Sequence, residues 1–273
     1  MDQINAGLPT IIEKDIDRII KTQRELGNIS ATTDYTDAIL RTEISIIAVG
    51  TPSGNNGHLN LEYIFKVAEN FGEVLKRKES FHIIAIRSTV TPGTGEKFAE
   101  IVEQISGKKR NIDFAMVSNP EFLREGTSVH DYYHPPLTLI GTEHEEAAEK
   151  IALLYKELPA EIVITDIKIA ELMKYVNNTF HALKISFANE IGNIAAALGI
   201  DSHEVMGIFC KDKELNVSQY YFKPGFAYGG SCLPKDLKGL QTLAHDLYVK
   251  VPLIENIDKT NELRIHRAGE ISQ

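Results

Sequence analysis

Residues 44–50 read ISIIAVG and residues 82–88 read HIIAIRS. Both runs are β-branched and apolar throughout, with no polar alternation. Strands read this way when helices cover both faces of a parallel sheet. Between them, Leu61–Lys76 carries apolar residues at helical spacing,. The same alternation continues downstream: a helix over Gly95–Ser106, strands at Asp113–Ser118 and Leu137–Gly141, a helix over Glu145–Glu157 and a strand at Glu161–Thr165. Upstream, a helix is expected over Ile11–Glu25 and a short strand at Ile29–Thr33. This order predicts an α/β fold, a doubly wound, Rossmann-like parallel sheet over residues 1–165.

After Thr165 the pattern turns helical. One long helix is expected over Ile167–Leu198 and a shorter one over Ser202–Cys210, capped by Asp201,. A Gly/Pro/aromatic loop fills Tyr220–Pro234, a helix follows over Lys235–Leu247, and Leu253–Ile271 again reads as helix. Residues 166–250 thus form a helical central region, and 251–273 read as the start of a further domain. The sheet is expected to be incomplete. A dinucleotide-binding sheet opens with a strand, a GxGxxG turn and a helix that receives the pyrophosphate. No such motif occurs here, and the first forty residues hold only Gly7 and Gly27. Both ends read as cut. On that expectation the strand at Ile44–Gly50 has an open edge, and the strand at Ile29–Thr33 has no partner.

Composition narrows the function. The 273 residues are 43% hydrophobic and 25% charged, the profile of a soluble globular protein,. A net charge of -9 argues against a nucleic-acid partner,. No signal peptide and no membrane-length apolar run is present, and Cys210 and Cys232 form neither a disulfide framework nor a metal knuckle,. The expectation is a cytoplasmic protein without a metal.

Chemistry concentrates in three places. Gly229-Gly230-Ser231-Cys232-Leu233-Pro234-Lys235-Asp236 places a thiol behind glycines that admit a ligand, with a lysine and a carboxylate close by. A cationic neighbour raises the thiolate fraction that a covalent nucleophile needs. Cys210, inside a helical pattern, is expected to be buried. On the long helix, Asn178 lies about 40°, His181 about 340° and Asn189 about 60° from Lys174, so one face carries all four, interrupted by Ile185,. That face is either a site or a wet stripe with Lys174 paired to Glu171. Third, Asn119-Pro120-Glu121-Phe122-Leu123-Arg124-Glu125-Gly126 follows a strand end, where ligands bind in open α/β sheets,. Glu121 and Glu125 could act there or pair with Arg124 or Arg87. Thr51 and Thr89 stand at two further strand ends.

In this order the motifs are specific. GTPS, RSTVTPGT, NPEFLREGTS, ELMKYVNNTFHALKISFANEIGNIA and PGFAYGGSCLPKD closely resemble the nucleotide-sugar 6-dehydrogenases, over residues 2 to about 266. The wording YY, PGF and GGSCLPKD is most like the members that act on GDP-mannose, with the UDP-glucose enzymes as the nearest alternative. The resemblance implies oxidation of the sugar C6 alcohol to a carboxylate with two NAD in turn, for polysaccharide precursors. Cys232 would carry the thiohemiacetal and thioester. Lys174 and Asn178 would stabilise the C6 oxygen. Asp236 would act as base or orient water, assisted by Thr89 and Glu121. Thr51, Thr89 and Lys235 match cofactor contacts. Glu125, His181, Asn189, Tyr220, Tyr221, Lys223 and Phe226, with Lys174 and Asn178, match substrate positions. Lys223 replaces a frequent arginine and loses its bidentate fork. A homodimer through the long helix is also implied. Two readings remain open beside catalysis. One is a truncated remnant that only dimerises or binds nucleotide sugar; the other is a thiol protein unrelated to redox cofactors.

Overall fold

The computed structural model describes residues 1–271 except 53–58, 125, 219–226 and 231; at 232, 235, 236, 239 and 267–271 only the backbone is described. Elements run α1 (Asp2–Asn5), α2 (Ile16–Glu25), α3 (Tyr35–Arg41), β1 (Ile44–Ile47), α4 (Glu62–Leu75), β2 (His82–Ile86), α5 (Thr94–Ser106) and β3 (Phe114–Ser118). They continue with α6 (Ser128–Tyr133), β4 (Thr138–Gly141), α7 (Glu145–Leu153), β5 (Ile162–Thr165), α8 (Ile167–Ala197), α9 (Ser202–Phe209), α10 (Cys232–Asp246) and α11 (Pro252–Ile271). The chain divides into two compact units, Met1–Asn177 and Asn178–Gln273. Among the described residues, no helix is long and apolar enough to cross a membrane.

In the first unit the strands lie in sequence order, β1-β2-β3-β4-β5. Successive side chains of a strand face opposite sides, and both sides of β2 and β3 are buried,. Ile84, Ile86, Phe114 and Met116 pack with Ile64, Phe71, Phe98 and Val102 from α4 and α5. Ile83, Ala85, Ala115 and Val117 pack on the opposite face with Ala147, Ala148 and Ile151 of α7. Each fully buried Ile or Phe contributes about 1.5–3 kcal/mol. Continuous apolar strands follow from this double coverage.

Three expectations need correction. The sheet is mixed: β1, β2 and β3 are parallel, as are β4 and β5, but β4 runs antiparallel to β3. A parallel return needs a full helical crossover, and among the described residues, 119–137 hold only the six-residue α6,. Ile29–Thr33 is not a strand. It is held instead by Asn5, whose side chain donates to Ala31 O and accepts from Ala31 N, both at 2.8 Å. The helix expected from Ile11 begins only at Ile16, after Asp15 at φ 67°. At the sheet's outer side β1 pairs only with β2 among the described residues, and Ile46 is exposed.

In the second unit Ile194, Ala244, Val251 and Ile254 form the core. Asp201 caps α9 by accepting from His203 N and Glu204 N, as its position predicts,. Cys210 is exposed, contrary to expectation, because it lies at the end of α9 where the helical coverage stops.

Candidate active site at the strand ends

Parallel strands β1, β2 and β3 deliver three loops to one edge of the sheet. The first two are tied together. Thr51 Oγ1 donates to Thr89 O at 2.8 Å, and Ser88 Oγ donates to Val49 O at 2.7 Å while accepting from Val49 N. Asn119, buried at the end of β3, accepts from Arg87 and from the Tyr155 hydroxyl through Oδ1 and donates to Leu139 O through Nδ2. Burial raises the Tyr155 phenol above its ordinary pKa,. Arg87 Nη1 also donates to the Tyr155 hydroxyl at 3.0 Å.

Lys174, on α8, is 8% exposed and reaches this loop. Its Nζ donates to Glu121 O at 2.6 Å and Glu121 Oε1 at 2.8 Å, with the Phe122 ring 5.9 Å away. Glu121 Oε2 accepts from Leu123 N at 2.6 Å. A lysine and a carboxylate 53 residues apart are therefore joined. The alternative pairing of Lys174 with Glu171 is overturned, because Glu171 has another task. Its two oxygens accept from Gly93 N at 2.6 Å and Gly95 N at 2.7 Å, capping α5. Burial raises the Glu171 carboxyl above its usual pKa, and the two amides oppose that shift,.

Arg124 does not pair with Glu121; Glu125, the other expected partner, lies outside the described residues. It grips the buried Asp131 through Nη2 at 2.7 Å, Nε at 3.0 Å and its backbone N at 3.0 Å. Thr127 Oγ1 adds a further donor at 3.1 Å. The guanidinium hydrogen bond holds the Asp131 carboxyl well below the usual carboxylate range,. Reading the sequence missed Asp131 and Tyr155. Asp131 lies seven residues beyond Arg124 in a run rich in polar residues, so only the fold singles it out.

Asn178, one turn after Lys174 on α8, is exposed, as are His181 and Asn189. In the second unit the chain before Cys232 is pinned to α11: Asn261 accepts from Tyr228 N and donates to Tyr228 O, each at 2.9 Å. Helix α10 starts at Cys232. The side chains of Cys232, Lys235 and Asp236 lie outside the described residues, as do Glu125, Tyr220, Tyr221, Lys223 and Phe226 altogether.

A cavity of about 480 Å³ lies away from Lys174, between α2 and α6. A smaller one of about 30 Å³ borders Arg87, Asn119, Glu121 and Tyr155.

Two family models match in tandem: the UDP-glucose/GDP-mannose dehydrogenase family NAD binding domain over residues 1–159, and its central domain over residues 168–263. The chain belongs to this family. GDP-mannose 6-dehydrogenase of Pseudomonas savastanoi pv. phaseolicola is 46% identical over 272 residues, which are 99% of this chain and 62% of the relative. The crystal structure of a ternary complex of GDP-mannose dehydrogenase from Pseudomonas aeruginosa superposes with a TM-score of 0.97 at 42% identity, covering 99% of this chain and 62% of that one. A UDP-glucose dehydrogenase from Pyrobaculum islandicum gives a TM-score of 0.75 at 34% identity, over 96% of this chain and 60% of that one. The family member described here thus spans about 62% of the length of the curated relatives it matches.

The residues present suit the family's NAD only in part. The strand-end loops bearing Thr51 and Thr89 offer neutral polar groups, suited to a carboxamide. The glycine-flanked start of α5 offers no pyrophosphate cradle, because Glu171 already takes its amides. The described residues fit one end of the dinucleotide.

Proposed function

We propose that this chain carries the sugar-oxidising residues of an NAD-dependent nucleotide-sugar 6-dehydrogenase, converting GDP-mannose to GDP-mannuronate. The observation that carries the reading is the Lys174–Glu121 pair at the strand ends, set in the family's order of motifs. Of the three ammonium protons on Lys174, two are assigned to Glu121, leaving one for a substrate oxygen,. With Asn178 one turn on, Lys174 would stabilise negative charge at the sugar C6 oxygen. NAD, when bound, supplies the hydride acceptor; Thr51, Thr89 and Lys235 would meet its nicotinamide end.

Cys232 would be the nucleophile. It opens α10, a backbone position that favours thiolate over thiol,. Asp236, one turn later, would serve as base or orient water, with Thr89 and Glu121 assisting. Glu125, His181, Asn189, Tyr220, Tyr221, Lys223 and Phe226 would hold the nucleotide sugar. GDP-mannose is preferred over UDP-glucose because the 46% identical relative is a GDP-mannose 6-dehydrogenase, whereas a UDP-glucose 6-dehydrogenase of Bacillus subtilis is 33% identical. A cytoplasmic homodimer through α8 accords with the exposed Leu172, Val176, Leu183 and Ile185 along that helix. The partial fit to NAD favours a second reading, in which the chain binds nucleotide sugar without turning it over.

Thiol alkylation tests the proposal. GDP-mannose should protect Cys232 from iodoacetamide and leave the exposed Cys210 reactive, and GDP should compete better than UDP. Equal labelling of Cys232 with and without nucleotide sugar would remove the thiol from the site. Better protection by UDP-glucose would reassign the substrate.

A further inference from the structure

We infer that Glu171 is a positioning residue that sets Lys174 against the loop bearing Thr89, a role that rests on reading Lys174 and Thr89 as site residues. Both belong to the first unit, Met1–Asn177. Lys174 stands on α8 and Thr89 on the stretch between β2 and α5. Glu171 precedes Lys174 on α8 by about one turn, so the two share a face of the helix,. Its side chain crosses to the other element: Oε2 accepts from Gly93 N at 2.6 Å and Oε1 from Gly95 N at 2.7 Å, across 78 and 76 residues of sequence. Lys174 Nζ, one turn on, reaches Glu121 just beyond β3. Neighbouring side chains of α8 thus grip the loops of two adjacent strands.

Three features make this tie specific. Glu171 is 2% exposed, and both its partners are donors, so only a group with two acceptor oxygens satisfies them,. Hydrogen bonds to a charged group are the stronger kind, and buried amides left without an acceptor are costly. Second, the backbone is shaped for the contact. Gly93 has φ +92°, which glycine adopts without strain,. A Cβ on Gly95 would lie 3.1 Å from Glu171 Oε1 and 2.6 Å from Ile167 Cδ1. Third, the chain between Gly93 and Thr89 has no slack. Thr94 N and Oγ1 both donate to Thr91 O, at 3.1 and 2.6 Å, closing the turn that contains Gly93. Val90 is buried in the same core cluster as Ile167 of α8, and Thr89 O accepts from Thr51 Oγ1. The carboxylate therefore reaches a strap fixed at each step back to Thr89, while the helix carries the constraint forward to Lys174.

Acetylation of the 273-residue chain with acetic anhydride, read lysine by lysine by mass spectrometry, tests the role. Lys78 is the internal control: it is buried in the same unit, and its ammonium donates to Ile39 O, Leu40 O and Thr42 O at the end of α3. A general loss of fold exposes both lysines, whereas a loss of position exposes Lys174 alone. In Glu171→Ala, acetylation should accelerate by about tenfold or more at Lys174, as loss of charge-assisted bonds implies, and by less than about twofold at Lys78. Amide exchange at Thr94 N, resolved by NMR, reports the strap and should rise in step. Glu171→Gln keeps the shape but offers one acceptor oxygen to two donors. It should behave like the alanine variant, and it decides the matter if that variant does not fold. Unchanged acetylation of Lys174, unchanged exchange at Thr94, or equal acceleration at Lys174 and Lys78 overturns the inference. GDP-mannose added to the wild-type chain is read separately. A failure to slow Lys174 acetylation counts against the proposed site, whereas the comparison of Lys174 with Lys78 decides the role of Glu171.

Discussion

Lys174 is where charge, burial and reach meet in one side chain. Its ammonium sits among Glu121 O, Glu121 Oε1 and the Phe122 ring, so a neutral replacement removes both the pair and the proposed oxyanion donor. Lys174→Ala in the complete enzyme should lower turnover by roughly two to three orders of magnitude, the usual loss for one such donor. A fall below tenfold, measured as NADH produced from GDP-mannose, would leave Lys174 a structural tie only. His82 offers a test independent of activity. Burial, reinforced by the Lys78 charge, pushes its pKa down to about 4. The neutral ring is fully used: Nδ1–H donates to Thr42 O at 3.1 Å, and Nε2 accepts from Ser45 Oγ at 2.9 Å. As pH falls below the ordinary histidine value of about 6.5, the unfolded chain takes up a proton that the native state refuses. Stability should therefore drop by about 3 kcal/mol between pH 6.5 and 4,. Urea unfolding at stepped pH should show a shallower slope in His82→Gln, and an unchanged slope would rule out this histidine as the source.

At the scale of elements, α8 organises both units through buried glutamates. Glu171 accepts from the amides at the start of α5. Glu190 accepts from Leu253 N at 2.7 Å and Ile254 N at 3.0 Å, at the start of α11. A carboxylate at a helix N-terminus satisfies donors that the helix leaves open and faces the positive end of its dipole. Close backbone approach holds the first contact in place. A Cβ on Gly141 would lie 2.5 Å from Ala170 Cβ and 3.0 Å from Asp166 O. Backbone atoms cannot yield as a flexible side chain would, so Gly141→Ala should cost about 1–3 kcal/mol, read as a lowered unfolding midpoint. A neutral result would mean that α8 packs less tightly on β4. The elements that periodicity revealed were those with a buried stripe, such as α4 and the doubly covered β2 and β3. Short, mostly exposed α1, α3 and α6 left little pattern to read, since each has at most one buried residue. Ile29–Thr33 misled because apolar and β-branched residues there meet a side chain, Asn5, in place of a strand.

For the molecule as a whole, cofactor binding decides how far this chain acts by itself. No GxGxxG occurs in the sequence, and the glycine-flanked start of α5 is closed by Glu171. Calorimetric titration of the 273-residue chain with millimolar NAD should therefore show no saturable binding, and GDP-mannose should yield no NADH. Saturable binding would mean that a pyrophosphate cradle is formed by other residues.

Sequence alone was enough for the α/β alternation and the change to helices after Thr165, because burial on one or two faces imposes a local period. It was also enough for the family, because loops at strand ends keep their residues in a recognisable order. Lys174 and Glu121 could each be named from those motifs, but their partnership could not. Fifty-three residues separate them, and nearer partners were available, Glu171 to Lys174 and Arg124 or Arg87 to Glu121. Only the packed structure placed Glu171 at α5 and Arg124 at Asp131, and so left Lys174 facing Glu121. Hydrogen-bond partners are chosen by proximity in three dimensions, and in a sheet whose strands converge from distant sequence that proximity has no local signature.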